Sequence, residues 1–402
     1  MTSLDTAADQ AISHPALGGN VLRIPASGIR EIFDLALGRD DVLHMEVGEP
    51  DFNTPAHIID AALASARAGS GYTATAGIQA VRAAAAARVA RVHGIDVDPS
   101  RMLITHGAVN ALSSAIAACV EPGTDALIPD PAWPGYEMMV LASGGDCVRY
   151  PLRAANGFLP DPDEIERLIT PRTKVMVVNT PANPTGAVVP DADLERIVAI
   201  ARRAGVLVVS DEVYDEMIFD GRTPQSLVGI DPEWVAGVWS CSKTYAMTGW
   251  RVGFMAVPEA LVVPVIRLQE SVITSVSTVV QAAALAAFEG PQDCVVEMRD
   301  TYERRRDLLM GLLDQAGIAY VKPGGAFYLM LSLADGADAR AAALDLVRND
   351  GVAVAPGTAF GAVACSALRF SLAASEDTIT AAATKVADWY RRTDGGLAVP
   401  AP

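Results

Sequence analysis

Residues 240–253 of this chain read SCSKTYAMTGWRVG. They begin where an apolar run at residues 237–240 ends, and such a run is typical of a buried strand. Lys243 is therefore expected in a turn at the end of a sheet, where ligands of α/β proteins bind. Burial beside other cations lowers the pKa of a lysine and makes its amine a nucleophile. This segment predicts a ligand site built around Lys243.

Three side chains near Lys243 could bind a phosphate group together. Ser240 and Ser242 supply hydroxyl donors, and Arg251 supplies a planar guanidinium with several N–H donors. A lysine that stands alone in a loop is usually a solvated surface group. The neighbours of Lys243 instead favour a site for an anionic ligand.

Short apolar runs and longer helical patterns alternate around this segment. Five runs are typical of buried strands, at residues 126–129, 174–179, 206–210, 237–240 and 252–257. Residues 108–119 and 191–203 have the periodicity of helices. The Ala-rich residues 81–90 are interpreted as an ordinary surface helix because of their arginines, among them Arg88. Strands that alternate with helices predict an α/β fold with a mainly parallel sheet covered by helices on both faces.

The pattern changes after Gly290, where helices and strands are expected to form a smaller α+β domain. The expected helices are residues 297–316 and 339–349, and the expected strands are residues 326–331, 352–354 and 368–372. The first forty-odd residues are expected to fold back onto this unit. The predicted division is an N-terminal arm with part of the small domain at residues 1–45, a large domain at 46–290 and the small domain at 291–402.

The composition opposes several classes of function. The formal net charge of −17 disfavours binding to nucleic acid or to anionic membrane surfaces. The five cysteines form no CxxC pair, and the five histidines show no metal-ligand spacing. The start of the chain lacks the basic and apolar segments of a signal peptide, and no run is long enough to span a membrane. A cytoplasmic protein is expected.

Polar residues follow two of the predicted strands. Asn183 opens the turn NPTG at residues 183–186, where proline fixes the backbone and glycine frees it. Asp211 ends the strand at residues 206–210, and a carboxylate there is costly unless a cation pairs with it. Glu212, the next residue, is interpreted as a solvated neighbour.

Two further segments are consistent with anion binding. The sequence HGAVNAL begins at His106 and runs into an apolar helix, whose first N–H groups could bind a phosphate. Those groups belong to Gly107, Ala108 and Val109. In LRFSLA, Arg369 lies within a predicted strand and requires a carboxylate partner.

Taken together, these landmarks resemble those of the fold-type I aminotransferases, in the class I/II (aspartate aminotransferase-like) family. The resemblance extends from about residue 23 to about residue 371 and keeps the family's order of landmarks. It implies the fold type I of pyridoxal 5′-phosphate (PLP)-dependent transferases, with a large domain and a smaller one. It also implies that PLP is bound as a Schiff base to Lys243.

The resemblance implies a role for each landmark around the cofactor. Asp211 would pair with the pyridinium nitrogen. Asn183 and Tyr214 would hydrogen-bond to the phenolic oxygen, and Trp133, in PAWPGY, would stack on the ring. Tyr72 would reach the cofactor phosphate of a neighbouring subunit, which predicts a homodimer. The rest of the phosphate site would consist of Gly107, Ala108, Val109, Ser240, Ser242 and Arg251.

Substrate contacts and a reaction follow from the same resemblance. Arg369 would clamp the α-carboxylate of the substrate, and Asn183 and the backbone of Gly48, in VGEPDF, would lie close to it. Lys243 would serve as the base for the Cα proton. The predicted reaction is ping-pong transfer of the amino group from an L-amino acid to a 2-oxo acid.

The substrate side chain is less clearly specified. In related aspartate aminotransferases a lysine in the phosphate turn helps to meet a distal carboxylate, and Val109 stands at that position here. Ser27 and Gly28 are small and would leave the side-chain pocket permissive. A neutral or aromatic amino acid is therefore expected at least as much as an acidic one.

Two alternatives remain open. The same fold and nearly the same residues would serve a β-elimination lyase, a cyclase or an amino acid oxidase. A non-catalytic PLP-binding regulator would need an added DNA-binding domain. Residues 1–40 are too short and too acidic for one, and the net charge of the chain opposes DNA binding.

Overall fold

The computed structural model of the chain describes residues 18–26, 28–223 and 225–396. The α-helices α1 to α14, in chain order, are Gly19–Leu22, Gly28–Ala36, Ala56–Ala68, Gln79–His93, Gly107–Ala117, Gly135–Ala142, Pro162–Leu168, Asp191–Ala204, Cys241–Thr244, Glu259–Ile273, Thr278–Glu289, Asp293–Ala316, Ala339–Asp345 and Glu376–Arg392. The strands β1 to β13 are Leu43–His44, Met102–Thr105, Asp125–Asp130, Asp146–Pro151, Thr173–Asn179, Leu207–Asp211, Val235–Ser240, Gly253–Ala256, Tyr320–Val321, Tyr328–Ser332, Val352–Ala353, Ala355–Pro356 and Ala367–Ser371.

The large sheet has the strand order β2-β8-β7-β6-β5-β3-β4. Strands β3 to β7 run parallel, whereas β8 is antiparallel to both of its neighbours. Successive residues of β6 enter different apolar cores, since Val208 packs on one face of the sheet and Val209 on the other. Burial on both faces explains the nearly continuous apolar runs. The predicted α/β class with a mainly parallel sheet is confirmed.

The smaller unit combines two more sheets. One is antiparallel, in the order β12-β13-β10-β9, and the other pairs β1 with β11 in parallel. Because β1 precedes the large sheet and β11 follows it, the N-terminal part of the chain returns to the C-terminal part. Helices α2, α12, α13 and α14 contribute to the apolar core of this unit. The domain boundaries near residues 45 and 290 stay a prediction.

Helix α4 corrects one expectation, because residues 81–90 do not form an ordinary surface helix. Arg88 is only 2% exposed. Its guanidinium donates to both carboxylate oxygens of Asp215, at 2.6 and 3.0 Å, and to Glu216 at 2.6 Å. His93 Nε2 lies 3.0 Å from Asp215 Oδ2. These four residues, here called the ion-pair cluster, join α4 to the segment that follows β6.

The carboxyl ends of β5, β6 and β7 lie side by side. Asn179 is in register with Asp211, and Asp211 with Val238. Strand β7 ends at Ser240, directly before the short helix that carries Lys243. This edge of the large sheet therefore brings together polar residues that are far apart in the sequence.

No helix in residues 18–26, 28–223 or 225–396 combines the length and the apolar character needed to cross a membrane. The same ranges contain no cluster of three or more His, Cys, Asp or Glu side chains placed to hold a metal ion.

Candidate active site

A cleft of about 1200 Å³ opens at the carboxyl end of the large sheet, beside the small sheet. Of the predicted site residues, only Gly107 and Tyr72 do not contribute to its described lining. The others line it together: Gly48, Ala108, Val109, Trp133, Asn183, Asp211, Tyr214, Ser240, Ser242, Lys243, Arg251 and Arg369. The fold thus gathers side chains from the large sheet, from α5 and α9, and from the small sheet.

Lys243 is positioned by a single helical turn, α9, that begins directly after β7. The Ser240 hydroxyl accepts a hydrogen bond of 3.0 Å from the Ser242 N–H and so caps the start of this turn. The Lys243 amine donates to the carbonyl oxygen of Gly48 at 2.6 Å. The SCSK sequence therefore points the lysine into the cleft, toward the segment that carries Gly48.

The surroundings of Lys243 favour the uncharged amine. Its pKa is lowered from 10.5 to about 8, first of all by burial. Glu49 opposes this shift, and the positive charges of Arg369 and Arg251 add to it. A neutral amine is needed for a lysine to act as a nucleophile or as a base. Lys243 meets this requirement close to neutral pH.

Asp211 is a buried carboxylate at the end of β6, with only 4% of its surface exposed. Burial raises its pKa from 3.8 to about 6, although hydrogen bonds from Tyr136 and Val213 act in the opposite direction. The Tyr136 hydroxyl donates to Oδ2 at 2.5 Å, and the Val213 N–H donates to Oδ1 at 3.3 Å. Within the described residues Asp211 forms no salt bridge. A cationic ligand group in the cleft would supply the missing partner.

Arg369 is a buried guanidinium, 2% exposed, on strand β13. Its Nη1 donates to the Asn183 side-chain oxygen at 3.0 Å, and its Nη2 donates to the Glu46 carbonyl at 2.5 Å. The guanidinium also lies over the rings of Tyr328 and Phe360, at 4.3 and 4.7 Å from their centroids. None of its partners among the described residues is a carboxylate. Arg369 is thus prepared to bind an anionic group in the cleft.

Tyr214 and Tyr328 form a hydroxyl pair in the wall of the cleft. Their oxygen atoms are 2.9 Å apart, and both side chains are buried. A Cβ atom at Gly48 would overlap the Tyr328 hydroxyl, so only glycine allows the backbone to approach this pair. The sequence analysis placed Tyr214 in the site but assigned no role to Tyr328. Its polar contact appears only in the folded chain.

The part of the cleft beside the N-terminus of α5 is suited to binding an anion. Helix α5 begins at Gly107, and among the described contacts no side chain caps its first N–H groups. Gly107 has φ +73, and a Cβ there would come within 2.5 Å of the Arg251 guanidinium. The N-terminus of α5 and Arg251 therefore meet at one place, and Ser240 and Ser242 line the same cleft. Helix N–H groups and a guanidinium together form a typical phosphate site.

Tyr136 is a site residue that the sequence reasoning missed. It belongs to the same PAWPGY segment as Trp133, and the two rings are nearly perpendicular at 5.4 Å. A Cβ atom at Gly135 would overlap the Trp133 ring, so this glycine allows the segment to turn back on itself. The available signal was a second aromatic residue three positions after the first, at the start of α6. Its partner, Asp211, could not be read from that spacing.

One predicted residue does not line the cleft in the single chain, and another falls outside the described residues. Tyr72 is 94% exposed in the single chain and does not line the cleft. The homodimer in which Tyr72 completes a neighbouring site stays a prediction. Ser27 lies outside the described residues, whereas Gly28 lines the cleft at the start of α2.

Glu212 corrects a second expectation, because it is not a solvated neighbour of Asp211. It is 1% exposed, and burial raises its pKa. Its carboxylate accepts hydrogen bonds from the Ser210 hydroxyl at 2.7 Å, the Ser226 hydroxyl at 3.0 Å and the Trp239 indole at 3.0 Å. Only Asp211 of the two lines the cleft, while Glu212 is enclosed by its own donors. The sequence, in which the two acidic residues are adjacent, gave no sign that only one of them faces the cleft.

Comparison with known proteins agrees with this geometry. The aminotransferase class I and II family matches residues 40–386. Aromatic-amino-acid aminotransferase 2 of Thermococcus litoralis is 36% identical over 371 residues, which cover 90% of this chain and 95% of the relative. Aspartate/prephenate aminotransferase of Thermus thermophilus is 36% identical over 351 residues, which cover 86% of this chain and 90% of the relative.

Solved structures show the same relationship. The structure of Thermus thermophilus aspartate aminotransferase with maleate has a TM-score of 0.89 and 35% identity, and it covers 93% of this chain and 100% of that one. The aromatic aminotransferase of Pyrococcus horikoshii has a TM-score of 0.85 and 32% identity, and it covers 91% of this chain and 99% of that one. The chain therefore belongs to the class I and II aminotransferase family and is an aminotransferase of fold type I.

Proposed function

We propose that this aminotransferase holds PLP at Lys243 and transfers the amino group of a neutral or aromatic L-amino acid to a 2-oxo acid. One observation carries the proposal: three reactive or charged groups that could each pair with a ligand line a single cleft. Lys243 has a lowered pKa, Asp211 is a buried carboxylate without a described cation partner, and Arg369 is a buried cation without a described carboxylate partner. Perturbed groups that converge in a cleft are typical of catalytic sites.

The residues present fit PLP at each of its polar groups. The N-terminus of α5 with Arg251 suits the phosphate, and the buried carboxylate of Asp211 suits a protonated ring nitrogen. Trp133 lines the cleft at a position suited to packing against a flat ring. Asn183 and the hydroxyl of Tyr214 line the same cleft and would supply polar contacts for the ring oxygen. The full charge pattern of the cofactor is therefore matched.

The residues divide the work of the reaction between them. When bound, PLP supplies a ring that withdraws electrons from the substrate Cα. Asp211 would hold a proton on the ring nitrogen, which maintains that withdrawal. Arg369 would bind the substrate α-carboxylate through its guanidinium, while Gly48, which has no Cβ, lets the backbone lie against the Tyr328 hydroxyl in the cleft wall. These contacts orient the Cα–H bond for proton removal.

Lys243 would move the proton at Cα. Its Nζ donates to the Gly48 carbonyl, and its lowered pKa of about 8 makes the uncharged amine more available near neutral pH than it is in an ordinary lysine. A base with a pKa near the working pH combines availability with sufficient strength. The same amine would first hold the cofactor and then act as general base and acid.

The wall near α2 supports a neutral or aromatic substrate side chain. Ile29 and Phe33 on α2 line the cleft, as do Val47 and Val109, and all four offer apolar surface. A buried aromatic side chain is stabilised by such contacts, whereas a second substrate carboxylate would need a free cation. Two cleft arginines in this region are already paired, Arg30 with Asp34 and Arg340 with Glu31.

One exposed arginine, Arg348, is the described residue that could favour an acidic substrate instead. It lines the cleft near α13. The comparison of phenylalanine with aspartate as amino donors separates the two possibilities. We expect phenylalanine to be used faster, and preference for aspartate would contradict the apolar assignment.

The homodimer belongs to the same proposal. Tyr72 is almost fully exposed in a single chain, although large apolar and aromatic side chains are usually at least partly buried. A second copy placed against this surface would cover Tyr72 and bring its hydroxyl to the neighbouring phosphate site. Sedimentation of the wild type is expected to give twice the mass of the chain.

The test is a half-reaction with purified protein. With PLP added, the wild type should acquire a visible absorbance band that fades when an amino donor is supplied. Lys243→Ala should lack this band and lose activity by about 10³-fold or more, because both the attachment point and the base are removed. Lys174→Ala is the matched control, since Lys174 is an exposed lysine on the same sheet. It should behave like the wild type.

Product analysis distinguishes this reaction from other PLP chemistry. Transamination requires that continuous 2-oxo acid formation depend on an added amino acceptor. Ammonia release without an acceptor would indicate elimination, and oxygen uptake would indicate oxidation. A wild type that stays colourless and does not respond to added PLP would contradict the proposed use of the cofactor.

A further inference from the structure

We propose that Tyr136 is a positioning residue, which holds Asp211 ionised and aimed at the ring nitrogen of the cofactor. The inference rests on the proposed function, since it assigns Asp211 to that nitrogen. Tyr136 would not itself contact the reacting atoms. It would act through the carboxylate to which it donates.

The geometry of the pair supports this role. The Tyr136 hydroxyl lies 2.5 Å from Asp211 Oδ2, and the Tyr136 side chain is 1% exposed. The second donor to Asp211, the Val213 N–H, is farther away at 3.3 Å and contacts the other oxygen. A short hydrogen bond to a charged acceptor is stronger than one between neutral groups. Tyr136 is therefore the stronger of the two described donors that fix this carboxylate.

The position of Tyr136 is determined by the same segment that supplies Trp133. Strand β3 ends at Asp130, whose carboxylate accepts hydrogen bonds from the N–H groups of Ala362 and Val363 at 3.1 Å. The chain then turns through Trp133 and Gly135 into the first turn of α6. An anchored turn followed by a helix limits the freedom of the Tyr136 ring. The hydroxyl is thereby directed at Asp211 before any ligand binds.

Charge balance explains why such a donor is needed. Asp211 is buried at the end of a strand, and burial alone favours its neutral form. A neutral carboxylic acid would attract a ring proton far less than a carboxylate does. A hydrogen bond from Tyr136 favours the ionised form without adding a positive charge that would compete with the ring. A lysine or arginine at this position would neutralise Asp211 instead.

A second buried tyrosine provides the matched control. Tyr150 is 3% exposed, and its hydroxyl donates to the backbone carbonyl of Val177 at 2.8 Å. It belongs to strand β4 of the large sheet and, like Tyr136, makes one described hydrogen bond through its hydroxyl. Its partner is neutral and is not part of the cleft lining. Replacing either tyrosine by phenylalanine thus removes one buried hydroxyl, but only one replacement affects Asp211.

The experiment measures the affinity of the full chain for two ligands. One is PLP, and the other is the analogue in which the ring nitrogen is replaced by carbon. Tyr136→Phe should weaken PLP binding by about tenfold or more, which is the usual effect of losing a hydrogen bond to a charged group. It should leave affinity for the carbon analogue nearly unchanged. Tyr150→Phe should leave the ratio of the two affinities unchanged.

A double-mutant cycle completes the test. In an Asp211→Asn background, the further change Tyr136→Phe should cause little additional loss of PLP affinity. Equal losses for PLP and for the carbon analogue would overturn the proposal, because they would indicate general damage to the site. Full additivity with Asp211→Asn would overturn it as well.

A second variant covers the case in which Tyr136→Phe does not fold. Site-specific 3,5-difluorotyrosine at position 136 keeps the ring and makes the hydroxyl a stronger donor. It should tighten PLP binding relative to the carbon analogue, whereas the same change at Tyr150 should not, and an unchanged ratio at position 136 would contradict the proposal. Failure of the wild type to bind PLP at all would instead contradict the proposed function, so the two failures are distinguishable.

Discussion

Two buried aspartates of the same segment, Asp211 and Asp215, have opposite electrostatic surroundings. Both are almost fully buried, at 4% and 3% exposure. The pKa of Asp211 is raised to about 6 by burial. Burial acts in the same direction on Asp215, but Arg88 and His93 outweigh it and hold the pKa of Asp215 well below its ordinary value. The difference lies in the partners that the fold supplies, not in the depth of burial.

This comparison separates structural charges from functional ones. In the ion-pair cluster, Arg88 meets Asp215 and Glu216, so the buried charges satisfy one another. In the cleft, Asp211, Lys243 and Arg369 form no described salt bridge with one another, and burial disfavours the charged form of each. Unsatisfied charge that lines an open cleft is available to a ligand. Satisfied charge inside the protein instead stabilises one arrangement of α4 and β6.

The strongest test of the comparison removes the cation of the ion-pair cluster. Arg88→Met should lower the free energy of unfolding by about 3–5 kcal/mol, because it removes the guanidinium that binds the buried Asp215 carboxylate and the partly buried Glu216 carboxylate. Urea denaturation measures the effect. Arg196→Met is the matched control, since the pair of Arg196 with Asp163 is exposed, and it should cost about 0–1 kcal/mol. Similar losses for the two variants would refute a structural role for the cluster.

The next test replaces each aspartate by its neutral isostere. Asp215→Asn should destabilise the cofactor-free protein by about 1.5–3 kcal/mol, the usual range for lost hydrogen bonds to charged groups. Asp211→Asn should leave stability unchanged or raise it by about 1 kcal/mol at neutral pH, because it removes a disfavoured buried charge. The same change should lower aminotransferase activity by about 10²-fold or more. Thermal melting and rate measurements on both variants decide the outcome.

A reversal of that pattern would count against the distinction. If Asp211→Asn destabilised the cofactor-free chain as much as Asp215→Asn does, Asp211 would also be a structural charge. If Asp215→Asn abolished activity in a protein of unchanged stability, the ion-pair cluster would belong to the catalytic machinery.

The smallest expected effect concerns the pH dependence of stability in the cofactor-free protein. The folded chain retains the Asp211 proton up to about pH 6, whereas an unfolded aspartate loses it near 3.8. The contribution of Asp211 to stability is therefore present at low pH and is lost between about pH 4 and 6. Asp211→Asn should remove this decline, which chemical denaturation at a series of pH values would reveal.

His93 provides the contrasting case within the ion-pair cluster. Burial opposes its protonation, but the hydrogen bond and charge of Asp215 prevail and raise its pKa above 6.5. Its stabilising contribution is complete below pH 6.5 and disappears as pH rises through the raised value. His93→Gln should flatten the stability curve in that range without altering the region between pH 4 and 6. A change confined to the acid range would contradict this assignment.

The cleft residues that could be predicted were those whose neighbours in the sequence form a recognisable strand end or turn. Lys243 follows an apolar strand in a turn of hydroxyl residues, and Asp211 and Asn183 follow neighbouring strands. Parallel strands place their carboxyl ends at one edge, and all three residues line the same cleft in the folded chain. Strands β2 and β4 were not foreseen; they lie at the two edges of the large sheet, and β4 carries polar residues.

The residues that escaped prediction, or were predicted wrongly, depend on partners far away in the chain. Tyr136 is distinguished from an ordinary core tyrosine only by Asp211, and Arg88 from a surface arginine only by Asp215. Glu212 was expected in solvent, yet Ser226 and Trp239 enclose it. Composition and periodicity carry no information about such distances.

The sequence by itself determined the α/β class, the turn that presents Lys243 and the family to which the chain belongs. These properties follow from local patterns, because apolar periodicity and turn residues act within a few positions along the chain. Only the tertiary structure decided which buried charges are paired and which face the cleft. Pairing depends on distances and burial created when remote segments pack together, and those set the pKa of each group.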